Sequence, residues 1–176
     1  MKTRWRIAQA AEIRWWQFYL RRRDPAAYLD AKRAYWRRIL QAAGVSVPAG
    51  AAVLDAGCGP AGIFLVLDEC RVDAVDPLLD EYEARLPHFS RRAYPWVRFL
   101  TGPLEQFDAP AAYDYVFCLN ALNHVADLQL AADRLIRTLR PGGTLILSVD
   151  THRHAFLKPL FRALPGDILH PHQHGL

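Results

Sequence analysis

No stretch of this sequence approaches the ~20 consecutive apolar residues that a membrane-spanning helix needs, so a bilayer span is not expected. Cysteine is scarce. Cys58, Cys70 and Cys118 are odd in number, widely spaced and without a C-x-x-C pair, which argues against both a disulfide framework and a thiolate zinc site. Serine is missing from the arginine-rich opening MKTRWRIAQAAEIRWWQFYLRRR, unlike a mitochondrial transit peptide, and Glu12 with its neighbouring arginines interrupts what a secretory signal would keep apolar. The expected location is cytoplasmic. Internal repeats, low-complexity tracts and recognisable nucleic-acid motifs are also missing. Acidic residues are few only at the start: residues 1–50 hold eleven Lys and Arg against three Asp and Glu, and the remainder eleven against fifteen. A solvated helical face accounts for this most simply, with an anionic partner as the alternative.

What is present suits one domain. A chain of 176 residues with 52% hydrophobic content can build one sizeable core. Asp24-Pro25 reads as a carboxylate N-cap followed by proline at the first helical position, and the helix is expected to run to Gly44, a natural left-handed terminator. Tyr28, Tyr35, Trp36, Ile39, Leu40 and Ala43 form its apolar face. Residues 7–23 should form a second helix carrying Trp15, Trp16, Phe18 and Tyr19, packed on the domain or closed over a ligand. From residue 51 short apolar runs alternate with helical stretches, the signature of a parallel sheet covered on both faces. Strands are expected at 52–56, 72–75, 96–100, 113–119 and 144–149, with helices between them. The clearest helix covers 127–139, where Leu128, Ala131, Leu135, Ile136 and Leu139 make one stripe before Arg140-Pro141-Gly142-Gly143.

The segment VLDAGCGPAGIF, residues 53–64, is a glycine-rich turn after the first strand. Gly57, Gly59 and Gly62 let the backbone approach a ligand, and the N–H groups of a following helix would meet an anion. A pyrophosphate and an amino-acid carboxylate both satisfy that description. Asp55 separates them, because a carboxylate two residues before the first glycine would repel a pyrophosphate but attract an ammonium or sulfonium. VLDAGCGPAG therefore resembles the first motif of the class I S-adenosylmethionine-dependent methyltransferases. The likeness continues. VDAVDP places Asp76 and Pro77 where that family holds the ribose, RFLTGPLEQF is similar to its adenine segment with Leu104 and Glu105 as contacts, and Pro103 departs from the pattern by lacking an N–H. YDYVFCLNALNHVADLQLAADRLIRTLRPGGTLILSVD resembles the family's fourth strand, helix, L-R-P-G-G turn and fifth strand.

The resemblance implies an α/β, Rossmann-like fold with a parallel sheet and helices on both faces. It implies S-adenosyl-L-methionine as cofactor, held by Asp55, Gly57, Cys58, Gly59, Gly62, Asp76, Pro77, Leu104, Glu105 and Asn120. The reaction it implies is in-line methyl transfer to an O, N or C nucleophile of a small-molecule acceptor. His124 is the candidate catalytic residue, orienting or deprotonating the acceptor, with helix capping or a backbone bond as the plainer role. Trp15, Tyr19, Asn123, His152 and His154 are the candidate acceptor contacts. Residues 1–48 are expected as a helical extension covering the substrate, and 49–176 as the cofactor-binding domain. The family's sheet has seven strands and only five are counted here, so a C-terminally incomplete domain with impaired turnover is expected, its open fifth strand shielded by the tail or by a homodimer. His170, His172 and His174 alternate, yet without an acidic or thiol partner at a set spacing no metal site is assigned. The competing readings are a non-catalytic cofactor-binding remnant and an NAD-type oxidoreductase.

Overall fold

A computed structural model describes residues 2–149. Helix α1 (Lys2–Leu20) leads into α2 (Pro25–Ala42). Asp24 caps α2 by accepting a hydrogen bond from the Ala27 N–H at 2.9 Å, and Gly44 follows the last turn at φ +63°, as the sequence signals required. Strands β1 (Ala52–Ala56), β2 (Arg71–Asp76), β3 (Val97–Thr101), β4 (Tyr113–Leu119) and β5 (Leu139–Ser148) form one sheet, with α3 (Leu79–Arg85) after β2 and α4 (Leu128–Thr138) before β5. All pairs are parallel and the spatial order is β3-β2-β1-β4-β5. The chain thus proceeds one way from β1 and then returns to its other side, which opens a crevice at the carboxyl ends of β1 and β4.

Burial divides by strand alternation. Val53 joins the core built with α1, α2 and α3, while Ala52, Leu54 and Ala56 join the one built with α4. The central strand is buried throughout, which is why it reads as an uninterrupted apolar run around one aspartate.

Three expectations need correction. The link from β1 to β2 contains no α-helix, only 3₁₀ turns at Gly59–Ala61 and Ile63–Val66. Its backbone is held from outside: the Trp36 indole N–H on α2 donates to the Ala61 carbonyl at 2.9 Å, and that of Trp96 to the Phe64 carbonyl at 3.1 Å. Partners from distant segments do the work that i→i−4 bonds would otherwise do. Secondly, β5 begins at Leu139 rather than Thr144. Leu139 pairs with Tyr113, the register then slips, and Thr144 pairs with Tyr115, so Arg140–Gly143 form a bulge inside the strand with Gly142 at φ +79°. Thirdly, Ile136 leaves the α4 stripe. Ala131 and Leu135 are buried, but Ile136 is 59% exposed. The expected tail helix and the histidines at 152, 154, 170, 172 and 174 lie outside the described residues.

Candidate functional site

The carboxyl ends of three strands converge on the glycine turn. Gly57 (φ +72°) and Gly59 (φ +58°) adopt left-handed backbone that a side chain resists. The Gly57 and Cys58 N–H groups donate to the Val75 carbonyl at 2.7 and 3.2 Å, which stitches the turn to the end of β2. Space is as restrictive as conformation: a β-carbon at Gly57 would collide with that of Ala121 after β4. The turn, β2 and the β4 loop therefore form one close-packed cradle.

Two carboxylates line it. Asp55, buried at the end of β1, accepts a hydrogen bond from the Phe64 N–H at 3.1 Å and so closes the turn on itself. Asp76, buried at the end of β2, uses one oxygen for the Leu78 N–H (2.8 Å) and the other for the Gly59 N–H (2.9 Å). A carboxylate offers about four acceptor positions, so Asp76 retains capacity for two hydroxyl donors. Among the described residues neither aspartate joins an ion pair. Burial, opposed by the turn hydrogen bonds and reinforced by the charge of Asp76, pushes Asp55 up to about 7, and burial with the charge of Glu12 pushes Asp76 up to about 7.

That shift has a measurable consequence. Because the folded protein holds these protons more tightly than the unfolded chain, the two groups stabilise most below about pH 4, and the benefit is lost as pH rises through about 7. The ligand-free protein should melt several degrees lower at pH 8 than at pH 5, at roughly 2–4 °C per kcal/mol for a chain of this size. Asp76→Asn should flatten the slope in a pH series of thermal unfolding; an unchanged slope would remove Asp76 as its source.

Glu12 was not anticipated. In the sequence it only interrupted an apolar run, yet it sits on the inner side of α1, where Tyr82 Oη donates to its carboxylate at 3.4 Å. Burial raises its pKa, opposed by bonds from Trp16 and Tyr82. It brings α1 alongside Asp76, whose ionisation it disfavours. The available signal was its standing as the lone carboxylate of a helix rich in arginine.

The remaining candidates separate. Cys58 is buried in the turn and Pro77 is half-buried beside Asp76. Leu104 is buried, and the Gly102 N–H donates to the Asp76 carbonyl at 3.3 Å, which holds the β3 loop against the cradle. Glu105 is already occupied, accepting from the Ala126 and Asp127 N–H groups at 2.6 and 3.1 Å and so fastening the entry to α4. Asn120 takes φ +55°, which asparagine tolerates better than most residues, and its Oδ1 accepts from Ser148 Oγ at 2.9 Å. Asn123 is 2% exposed and its Oδ1 has no hydrogen-bond partner among the described residues. His124 is half-buried in the same turn, its backbone N–H bonded to the Ala121 carbonyl at 3.0 Å. Trp15 stacks on Tyr19, ring centroids 4.9 Å apart, but stands on the outer side of α1 and is 45% exposed. No group of three or more metal-ligating side chains occurs among the described residues. A shallow depression of about 280 Å³ lies at the opposite, amino end of the strands, where Arg98 and Arg140 are paired with Asp73 and Asp114.

Comparison with known proteins agrees with this geometry. The family model described as "Methyltransferase domain" matches residues 54–147. The ubiquinone biosynthesis O-methyltransferase of Rickettsia prowazekii (strain Madrid E) is 30% identical over 98 residues, covering 54% of this chain and 38% of that protein. The trans-aconitate 2-methyltransferase of Azoarcus sp. (strain BH72) is 29% identical over 120 residues, covering 66% of this chain and 46% of its own length. The chain thus spans less than half the length of these curated relatives. Among solved structures, the YcgJ protein of Bacillus subtilis superposes with a TM-score of 0.64 at 21% identity, covering 80% of this chain and 62% of that one, a likeness of fold. With strand order, glycine turn and family match in agreement, this chain belongs to the methyltransferase-domain family and has the fold of the class I S-adenosylmethionine-dependent methyltransferases.

Proposed function

We propose that this chain binds S-adenosylmethionine in the glycine cradle and directs its methyl group to an O, N or C nucleophile of a small-molecule acceptor. The observation that carries the reading is the pair of buried carboxylates flanking the turn, each bonded to backbone N–H groups and neither paired with a cationic side chain among the described residues. Such groups suit a ligand that brings positive charge and hydroxyl donors, and ill suit a pyrophosphate.

When bound, the cofactor supplies an electrophilic methyl group on a sulfonium. The chain's own part is positioning. Asp76 has the capacity to hold both ribose hydroxyls, Gly57 and Gly62 keep the floor open, and the buried Leu104 gives an apolar wall beside the adenine. Asn123 and His124 lie on the turn after β4, the side from which an acceptor reaches the crevice. Asn123 Oδ1, buried and without a partner among the described residues, would take an O–H or N–H from the acceptor and orient its nucleophile, while His124 receives a proton if the nucleophile carries one. Residues 1–48, anchored by Glu12 beside Asp76, form the cover that keeps water out. The two curated relatives, named for ubiquinone biosynthesis and for trans-aconitate, suggest small acceptors of differing chemistry.

Asp55→Asn tests the reading. Asparagine can still accept from the Phe64 N–H, so the turn should persist and the protein melt no lower than the parent, while the loss of negative charge should weaken S-adenosylmethionine binding about tenfold or more. Titration calorimetry checks this directly. Unchanged affinity would remove the charge argument, and stabilisation by NADH in place of S-adenosylmethionine would favour an oxidoreductase.

A further inference from the structure

Helix α1 is apolar on two sides, and only one is buried. Ile13 and Leu20 enter the core and Trp16 packs against it. Roughly opposite, Ile7, Ala11, Arg14, Trp15 and Phe18 recur at helical spacing and share one stripe. Ile7 is 51% exposed, Trp15 45% and Phe18 67%; these are half of the large exposed hydrophobic residues among those described, so the exposure is a patch rather than a scatter. A helix with apolar residues all round is normally covered all round.

The charge of the patch identifies what covers it. Its ionic groups are cationic: Arg14 within the stripe, and Arg21 and Arg22 just beyond its end, with the Arg21 guanidinium 4.9 Å above the Phe18 ring. The sole carboxylate of α1, Glu12, faces the other way toward Tyr82. Arginines set among Trp, Phe and Ile match a water–lipid boundary, where guanidinium groups meet phosphates while the apolar side chains pass below them. A nucleic-acid strand fits less well, since one face of Trp15 is already covered by Tyr19 at an interplanar angle of 8° and Ile7 offers nothing to stack on.

We propose that the outer face of α1 seats this protein on an anionic lipid bilayer, the helix lying in the interface plane. No helix of the described residues is long and apolar enough to cross a membrane, which is consistent with surface docking. The inner face of the same helix holds Glu12 beside Asp76, so docking would bring the cradle to within about one helix diameter, ~10 Å, of the headgroups.

The test is co-sedimentation of the full 176-residue chain with vesicles of phosphatidylcholine alone or with roughly one-third phosphatidylglycerol. Binding to the anionic vesicles should be at least about tenfold stronger and should weaken with added salt. The double variant Ile7→Ser with Phe18→Ser should lose about tenfold of that binding or more while its melting temperature and S-adenosylmethionine affinity stay as in the parent. Arg14→Gln with Arg21→Gln should reduce binding to the level seen on neutral vesicles, and it decides the matter if the serine variant proves poorly folded. Equal sedimentation of parent and variants would overturn the proposal. So would salt-sensitive capture of an RNA oligonucleotide without vesicle binding, or a solution dimer that the serine variant dissociates.

Discussion

Gly62→Ala is expected to lower S-adenosylmethionine affinity by at least about a hundredfold through space alone. Conformation is no obstacle, because Gly62 has φ −72° and extended backbone open to any residue. Space is. A β-carbon there would lie 2.6 Å from the Cys58 carbonyl oxygen and closer still to Asp55 Oδ2. Neither neighbour can yield: Asp55 is on the central strand with its carboxylate tied to Phe64, and the Cys58 N–H is bonded to Val75. The turn must open instead, and overpacking of this kind typically costs ~1–3 kcal/mol before any loss of ligand contacts. Gly59→Ala is the control. Its φ of +58° costs roughly 1–2 kcal/mol of strain, but a β-carbon there meets nothing within 4 Å, so binding should fall less. Calorimetric titration with melting curves for both variants checks the order. A Gly62→Ala protein that binds like the parent would mean the ligand sits elsewhere.

Trp36 should dominate stability. Its side chain is buried in the core shared by α1, α2 and the β1–β2 link, and its indole N–H fixes the Ala61 carbonyl. Trp36→Ala should cost about 3–5 kcal/mol, equivalent to a fall of order 10 °C in melting temperature. Trp36→Phe keeps most of the volume and leaves the carbonyl without its donor, an expected cost of about 1–3 kcal/mol. Urea unfolding separates packing from hydrogen bonding: equal midpoints for the two variants would show that the bond, not the volume, carries the residue's contribution. Trp36→Phe should also weaken cofactor binding, since it loosens the turn from behind.

These two residues mark the boundary between what could be read and what could not. β1 and β4 were legible to the residue because continuous apolar runs bounded by turn residues admit few other fates, and Asp24 with Gly44 announced both ends of α2. Asp55 and Asp76 were legible because their spacing around a glycine turn is a local pattern. The link between β1 and β2 was not. Ile63–Leu67 is apolar enough to suggest a helix, and only the indoles of Trp36 and Trp96 explain why 3₁₀ turns suffice. Glu105 had the right position for a cofactor contact, but its carboxylate is engaged by the entrance to α4, a long-range bond that no local pattern announces. Ile136 fitted a helical stripe by spacing alone, whereas burial on α4 centres on Ala131 and Leu135 and leaves Ile136 at the exposed margin. Glu12 was hidden for the same reason: its value lies in what α1 touches.

The indoles that pin the β1–β2 link come from 25 positions before and 32 positions after the carbonyls they hold. The glycine cradle therefore cannot mature on the ribosome until both flanks have emerged and docked, however early its own residues are made. In refolding, recovery of far-ultraviolet signal should precede recovery of ligand capture, and the delay should lengthen when either tryptophan is replaced.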